Sequence, residues 1–346
     1  MTGLVVSRFE DSAGEWDAFV RAQPGWTHFH LHGWRSVVEE VFGHECIYLV
    51  ARDEERRIAA VLPLVRVRSL IFGHYLVSMP FLNYGGPLGT EEGVQAVVYD
   101  AIRIATASRV KLLELRSRVP LPIDLPVSHR KLTVVIDLPS DAEVLWKSLP
   151  GKLRTQIKRP RKDGVEVRFG ADQIGPFHEV FAQHMHDLGT PAQPRRLFDA
   201  IVRVFPGDVH FAVAYHHGKP VACGCGFLWN GEFEITWASA LRSHKTMSPN
   251  MLVYWELMQQ MVAAGAHLFN FGRCSPGSGT HRFKLQWGGR EELLWWYQQS
   301  AALAQEGQTL TPSQDSGIFA FASRAWQRLP VSLATRLGPA IVRYIP

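Results

Sequence analysis

The stretch from Trp237 to Tyr297 constrains the fold of this chain most tightly. It reads W-A-S-A-L-R-S-H-K-T-M-S-P-N-M-L-V-Y-W-E-L, then F-N-F-G-R-C-S-P-G-S-G-T-H-R-F-K-L-Q-W-G, and finally E-E-L-L-W-W-Y. The pattern predicts a strand, a long helix, a short apolar strand, a glycine turn, a second helix start and a final aromatic strand. Asn250, Arg273, Thr280 and Lys284 fall at the ends of these elements, where α/β proteins usually place their chemistry.

A length of 346 residues exceeds the ~250–300 at which one core stops growing, so two domains are expected. The first half reads as mixed α/β. Strands are expected at residues 4–9, 47–52, 58–67, 112–116 and 132–138, with helices at 15–22, 31–42 and 93–108. The second half repeats the pattern, with helices at 141–148, 151–159, 176–189, 195–205 and 250–264. A meander over 209–241 turns at His217-Gly218-Lys219 and at Asn230-Gly231, a strong hairpin signal. The order suggests two related α/β units in tandem, 1–138 and 139–301. The remainder, 302–346, reads as a polar linker through Ser316 and a basic amphipathic helical tail.

No window holds the ~18 uninterrupted apolar residues of a membrane span. The most apolar candidate, 58–82, is broken by Arg66, Arg68 and His74. No basic-then-apolar leader opens the sequence, so a cytoplasmic setting is expected. Cys46, Cys223, Cys225 and Cys274 show neither metal-ligand spacing nor a disulfide framework, and read as buried core thiols. His28, His30 and His32 alternate, as do His184 and His186. No cysteine or carboxylate stands beside them at zinc spacing, and no metal site is expected.

The net charge of +5 is concentrated in one place. Eight Lys/Arg and two Asp/Glu fall between Lys147 and Arg168, leaving the rest of the chain close to neutral. Such a cluster attracts phosphate groups, unless it is simply a solvated helix face. Arg154 and Lys158, four apart on one helix, could grip a phosphate together. From Ile318 onward there are Arg324, Arg328, Arg336 and Arg343 and no acid. Trp326, Leu329, Leu333, Leu337 and Ile341 recur there at helical spacing, which suits docking on the body, on a partner, or on anionic lipid.

Taken in order, these motifs resemble the FemAB-like aminoacyltransferases, and most closely the FemAB-related proteins associated with exosortase/PEP-CTERM exopolysaccharide systems. The resemblance runs through Trp16-Asp-Ala-Phe-Val20, His30…Trp34, Leu62-Pro-Leu64 and Met79-Pro-Phe-Leu-Asn-Tyr-Gly-Gly86. It continues with Lys152-Leu-Arg-Thr-Gln-Ile-Lys158, Leu188-Gly-Thr-Pro191, the block 237–297 and the tail Leu329-Pro…Leu337-Gly-Pro. It implies two tandem GNAT-like (acyl-CoA N-acyltransferase fold) α/β domains and acyl transfer to an amine. The subgroup carries Asp where this chain has Asn270, so no carboxylate base is available at that position.

The resemblance assigns Lys284 as the catalytic group, facing the aminoacyl end of the donor. It places Asn83 and Tyr84 with the acceptor. His30 and Trp34, one helical turn apart, could line the same cleft. Trp237, Asn250, Tyr254 and Arg273 converge if the second unit has the acetyltransferase order, and Thr280 with Gly277–Gly279 could open a helix onto an anion. For Trp34, Trp237 and Tyr254 a core position is the competing reading. The donor would be aminoacyl-tRNA or acyl-CoA, with no tightly bound cofactor. The acceptor would be a small or lipid-linked sugar or peptide, and the tail could touch the inner membrane surface.

Coenzyme A sites of this fold use a basic, glycine-rich turn into the central helix. Here that stretch is Arg242-Ser-His-Lys-Thr-Met-Ser-Pro-Asn250, without glycine, and the first unit's glycines are followed by Glu91 and Glu92. This favours charged tRNA as donor. The alternatives are an acyl-CoA-dependent N-acyltransferase acting on an amino sugar, and a non-catalytic binding module in polysaccharide assembly.

Overall fold

The computed structural model describes residues 3–69, 73–300 and 317–345, without the side chains of 317–320. The linker expected up to Ser316 lies outside the described residues. The described chain forms two compact units, 3–131 with 293–300 and 343–345, and 132–292 with 317–342.

The first unit contains β1 (Val5–Arg8), α1 (Ala13–Ala22), α2 (Trp34–Phe42), β2 (Glu45–Arg52), β3 (Ile58–Ser69), β4 (Gly73–Val77), β5 (Leu88–Gly89), α3 (Glu91–Ala107), β6 (Leu112–Ser117) and β7 (Val127–Ser128). A strand from far along the chain, β15 (Trp295–Gln299), joins the sheet, whose order is β1-β2-β3-β4-β6-β15-β7 with β5 against β3. Ile47, Leu49 and Ala51 of β2 and Ala60, Leu62 and Leu64 of β3 meet Val94, Val97 and Ala101 of α3. The intervening Tyr48 stacks on Trp16 of α1, centroids 4.9 Å apart. Both faces of these strands are thus covered, which is why they read as almost continuous apolar runs.

The second unit contains β8 (Leu132–Asp137), α4 (Ala142–Ser148), α5 (Gly151–Lys162), β9 (Val165–Phe169), α6 (Ile174–Asp187), α7 (Arg195–Val204), β10 (Val209–His216), β11 (Lys219–Trp229), β12 (Glu232–Ala240), α8 (Pro249–Ala263), β13 (Leu268–Cys274), α9 (Gly279–Leu285) and β14 (Arg290–Leu293). It ends with α10 (Gly317–Gln327) and α11 (Val331–Val342). Its sheet runs β14-β8-β13-β12-β11-β10-β9. Leu252, Leu257, Met258 and Met261 of α8 fill the core with Ala212, Ala222 and Ile235. Both expected hairpins close through pairs with positive φ, His217-Gly218 and Asn230-Gly231, as tight two-residue turns require.

Three expectations are corrected. The domain boundaries shift, because β8 belongs to the second sheet, beside β13, and β15 to the first, beside β6. Leu132 and Val134 lie in the second core and Tyr297 in the first. Strand pairing is non-local, and chain order does not reveal which sheet receives a connecting strand. In the tail, docking on the body uses the stripe of large residues only in part, with Trp326, Leu329 and Ile341 half-buried. α11 buries Ala334, Gly338 and Val342, while Leu333 and Leu337 point outward. Finally, the helix expected from Leu31 begins at Trp34, after a 3₁₀ turn over His28–His30.

Candidate functional site

In each unit a crossover helix joins two parallel strands, as parallel pairing requires. In the second unit β12 and β13 pair only at Glu232↔Leu268, Phe233↔Phe269 and Glu234↔Asn270. A bulge then falls in β12, where Ile235 opposes Gly226 and Trp237 opposes Cys225, leaving Thr236 extra. A bulge bends its strand and strengthens the local twist. Gly226 permits it, since a Cβ there would sit 2.2 Å from the carbonyl oxygen of Glu234. Beyond Glu234, then, β12 and β13 part, and their facing edges are not paired with each other.

Lys284 sits at this divergence. It lies on the short helix α9 and is 3% exposed, so the solvated-lysine alternative does not hold. Its Nζ donates to the carbonyl oxygens of Gly272 at 2.5 Å and Arg273 at 3.0 Å, both on β13. An ammonium carries three donors, and among the described residues the third has no protein acceptor. Burial pulls the Lys284 pKa from 10.5 down to about 8, with Cys274 and Glu234 opposing that fall and Arg273 adding to it.

Asn270 closes the paired end of the two strands. It is fully buried, with Nδ2 donating to Glu232 Oε1 at 2.9 Å. Its Oδ1 accepts from Thr133 Oγ1 at 2.5 Å and from Gly272 N–H at 2.9 Å. Both ends of the amide are therefore used in holding β8, β12 and β13 together, and the residue is a clasp rather than a base. Asn270→Asp replaces the donor with a carboxylate facing Glu232. That change is expected to destabilise the protein by about 3 kcal/mol or more. A melting temperature unchanged at pH 7.5 would refute the clasp.

The remaining expected site residues fall in several different places. Asn250, in the first turn of α8, and Arg273, on β13, are half-buried at the same end of the unit's parallel pair. Trp237 and Tyr254 are both buried among aromatic rings. Trp237 packs on Phe198 of α7, 5.2 Å between centroids, whereas Tyr254 packs on Phe271 and Phe283. Trp34 is likewise core, its Nε1 donating to His28. At the expected anion site around Thr280, two of the neighbouring amides have internal acceptors. Thr280 is exposed, the Ser278 side chain caps α9 by accepting from His281 N–H, and Gly277 N–H donates to His281 Nδ1. The Gly277 and His281 amides are thus spent internally.

Arg154 and Lys158 do share α5, and Lys158 extends over the Trp146 ring at 5.4 Å. Arg161 pairs with Glu256, Arg159 with Asp163 and Arg168 with Glu166. Lys152, Arg154, Lys158 and Lys162 have no carboxylate partner among the described residues, so α5 keeps a cationic face. The turn before α8 is a 3₁₀ segment over Arg242–Met247. Ser248 there is left-handed (φ 55°), and Pro249, which lacks an N–H, opens the helix. Ser248 N–H is spent on Lys245 and Met251 N–H on Ser248. In the first unit Thr90 caps α3 through Gly93 N–H, with Glu91 and Glu92 in the first turn. The α8 start therefore lacks two of the amides, and the α3 start the positive charge, that a pyrophosphate wants.

The first unit's parallel pair, β4 and β6, also stops after three residues, at Val77↔Glu114. Here the gap is closed by the segment 78–86. Ser78 N–H donates to the carbonyl of Glu114, and Gly85 N–H to that of Arg116. A Cβ on Gly86 would lie 2.9 Å from the Arg116 carbonyl. Asn83 and Tyr84 belong to this segment and are buried. Arg118 lies over the Tyr84 ring, and His30 bonds the backbone of Thr27 and Gly86. Burial, slightly relieved by those two bonds, holds the His30 pKa at about 4, so the ring is neutral and acts as a strut.

The sequence reading missed a polar cluster beside this segment. Glu114 accepts from Arg116 Nε at 2.8 Å and from Gln298 Nε2 at 2.6 Å, with Arg130 at 3.5 Å. Arg116 also lies over Trp296 at 4.5 Å. Its signal was present in L-L-E-L-R-S, where Glu114 and Arg116 share one face of an otherwise apolar strand. Among the described residues no group of three or more His, Cys, Asp or Glu is placed to hold a metal, and all four cysteines are buried thiols outside any disulfide.

Residues 150–285, which include α5, the divergence and Lys284, match the acetyltransferase (GNAT) domain family. A curated relative, the UDP-N-acetylmuramoylpentapeptide-lysine N(6)-alanyltransferase of Weissella viridescens, is 25% identical over 147 residues. That match covers 41% of this chain and 44% of the relative, less than half its length. The crystal structure of FemX superposes with a TM-score of 0.64 at 13% identity, covering 86% of this chain and 99% of that one. A tandem GNAT protein from the clavulanic acid biosynthesis pathway gives 0.52 at 11% identity, covering 85% and 98%. The chain therefore has the tandem GNAT fold, and its residues 150–285 match the acetyltransferase (GNAT) domain model.

Proposed function

We propose that this protein is an N-acyltransferase of FemAB type, moving an aminoacyl group from aminoacyl-tRNA to an amine on a cell-envelope or exopolysaccharide precursor. The observation that carries the reading is the buried Lys284 ammonium at the diverging ends of β12 and β13. In the reaction a neutral amine nitrogen forms a C–N bond to the ester carbonyl. The C–O bond breaks, and the ribose oxygen leaves with the proton that the amine gives up. Lys284 supplies its third N–H to the developing oxyanion or to the leaving oxygen. Asn250 and Arg273 would position the reacting groups, and the cationic face of α5 would hold donor phosphates. Asn83, Tyr84 and His30 would support the acceptor through the 78–86 segment.

The amine chemistry matches what the relative's name describes, alanyl transfer to a lysine nitrogen. Charged tRNA is preferred over acyl-CoA because of the glycine-free, proline-headed turn before α8 and the acidic start of α3. We assign the acceptor to the exopolysaccharide systems of the resembled subgroup. A lipid-linked acceptor would place the protein in the cytoplasm, peripherally at the membrane. Purified protein mixed with charged tRNA should show binding that weakens steeply between 50 and 200 mM salt, as phosphate contacts do. Tight coenzyme A binding without tRNA binding would transfer the reading to an acyl-CoA-dependent enzyme, and loss of both with an intact fold to a binding module. In cells, loss of the gene should lower the mass of an envelope or polysaccharide intermediate by one aminoacyl unit.

A further inference from the structure

The last two helices bear on a separate question. α10 and α11 dock on the second unit through their inner faces. Gln327 Nε2 donates to the Asp187 carbonyl at 2.8 Å, and His186 Nε2 donates to that of Leu329 at 2.9 Å. Gly338 lets α11 approach residue Ala192, where a Cβ would stand 3.2 Å from its carbonyl oxygen. With Ala334, Gly338 and Val342 turned inward, Leu333 and Leu337 are left on the outside.

Those outer faces have one composition. Phe321, Arg324 and Ala325 share one face of α10 at i, i+3, i+4 spacing, Arg328 follows in the turn just beyond it, and all four are exposed, Phe321 by 71%. On α11, Leu333, Arg336, Leu337 and Ala340 repeat the same spacing, again all exposed. Ile345 is exposed just beyond. No Asp or Glu occurs from Ile318 to the end of the sequence. Each face thus interleaves apolar groups with arginine and lacks any countercharge of its own. Nucleic acid would need the charge but gains little from Phe321, Leu333 and Leu337. The boundary between headgroups and acyl chains accepts both kinds of group.

We propose that the outward faces of α10 and α11 are a docking surface for a bilayer carrying anionic phospholipid. Helices of 11 and 12 residues are about 16–18 Å long, well short of a ~30 Å hydrocarbon core, so they would lie in the interface rather than cross it. The surface deepens the reading above by placing the protein where a lipid-linked acceptor would be, but binding itself does not depend on transferase activity.

The test is sedimentation of the full-length protein with vesicles of phosphatidylcholine alone or with 30% phosphatidylglycerol. Binding should require phosphatidylglycerol and weaken in 0.5 M salt. Each arginine near a charged surface contributes about fivefold, so R328E/R336E should bind at least about 25-fold more weakly. L333S/L337S should weaken binding at low and high salt alike. Both variants alter exposed positions, and their circular dichroism should match that of the parent protein. Equal binding to both vesicles, or none, overturns the proposal. So does binding that survives these changes but is lost when Lys152 and Lys158 are reversed, which would move the lipid site to α5. A concentration-dependent dimer abolished by L333S/L337S would show instead that the face meets a second copy. Lipid binding without tRNA-dependent transfer would leave this proposal standing while the functional reading fell.

Discussion

Lys284→Met should reduce transfer by about 10²–10³-fold or more while the protein remains folded, the loss expected when a preorganised donor to a developing oxyanion is removed. Two energetic effects of the change oppose each other. The variant no longer buries an ammonium whose pKa is lowered to about 8, which relieves roughly 3 kcal/mol at neutral pH. It also removes one charged donor from each of the Gly272 and Arg273 carbonyls, a loss of about 1.5–3 kcal/mol each. The melting temperature should therefore move by only a few degrees. The sign of the pH dependence follows from the lowered pKa. Below pH 8 the buried charge burdens the folded state, and that burden is relieved as pH rises from about 8 towards 10.5. Wild type should gain stability on the variant across that window. Activity should fall over the same rise, because the ammonium loses its proton. Near-normal transfer by Lys284→Met, read as the one-aminoacyl mass increment, would remove Lys284 from the mechanism.

The second large effect is structural. Arg116→Met should lower stability by about 3–5 kcal/mol, because Glu114 is left buried without its main cation. At ~2–4 °C per kcal/mol for chains of this class, the melting temperature should fall by about 10 °C. In the intact protein burial alone would raise the Glu114 pKa. Arg116, Gln298 and Arg130 together outweigh burial and hold it below the ordinary 4.5. Its stabilising contribution is thus present above about pH 4.5 and lost as pH falls through the lower folded value. In the variant burial dominates, so the carboxyl prefers to be neutral. The difference in melting temperature between the two proteins should therefore narrow from pH 7.5 to pH 5. A difference that stays constant or widens would mean that some other group suffers from the loss of Arg116.

The contrast between Lys284 and the aromatic candidates shows what kind of inference each feature allowed. Lys284 follows a glycine turn at an element end, a position the sequence marks. Trp34 and Tyr254 carried equal chemical interest, but aromatic residues at helical spacing serve packing at least as well, and here they do. Around Thr280, the Ser278 cap and the His281 ring take the His281 and Gly277 amides, two donors that the sequence alone would leave open to a ligand. Residue type and spacing reveal where donors are, but not whether the fold has already used them.

Local chemistry along the chain was enough to specify the α/β class, both tight hairpins, most helices and the concentrated charge of α5. Each depends on side-chain periodicity, on turn residues that tolerate positive φ, or on composition, all of which are fixed by neighbours in sequence. Tertiary structure alone decided that β8 and β15 serve sheets across the expected boundary, and that β12 leaves β13 after Glu234. It also decided that Glu114 meets Gln298, 184 positions away, and that the tail's leucines face outward. These outcomes depend on which distant surfaces meet, and contact between residues far apart in the chain leaves no periodic trace in either segment.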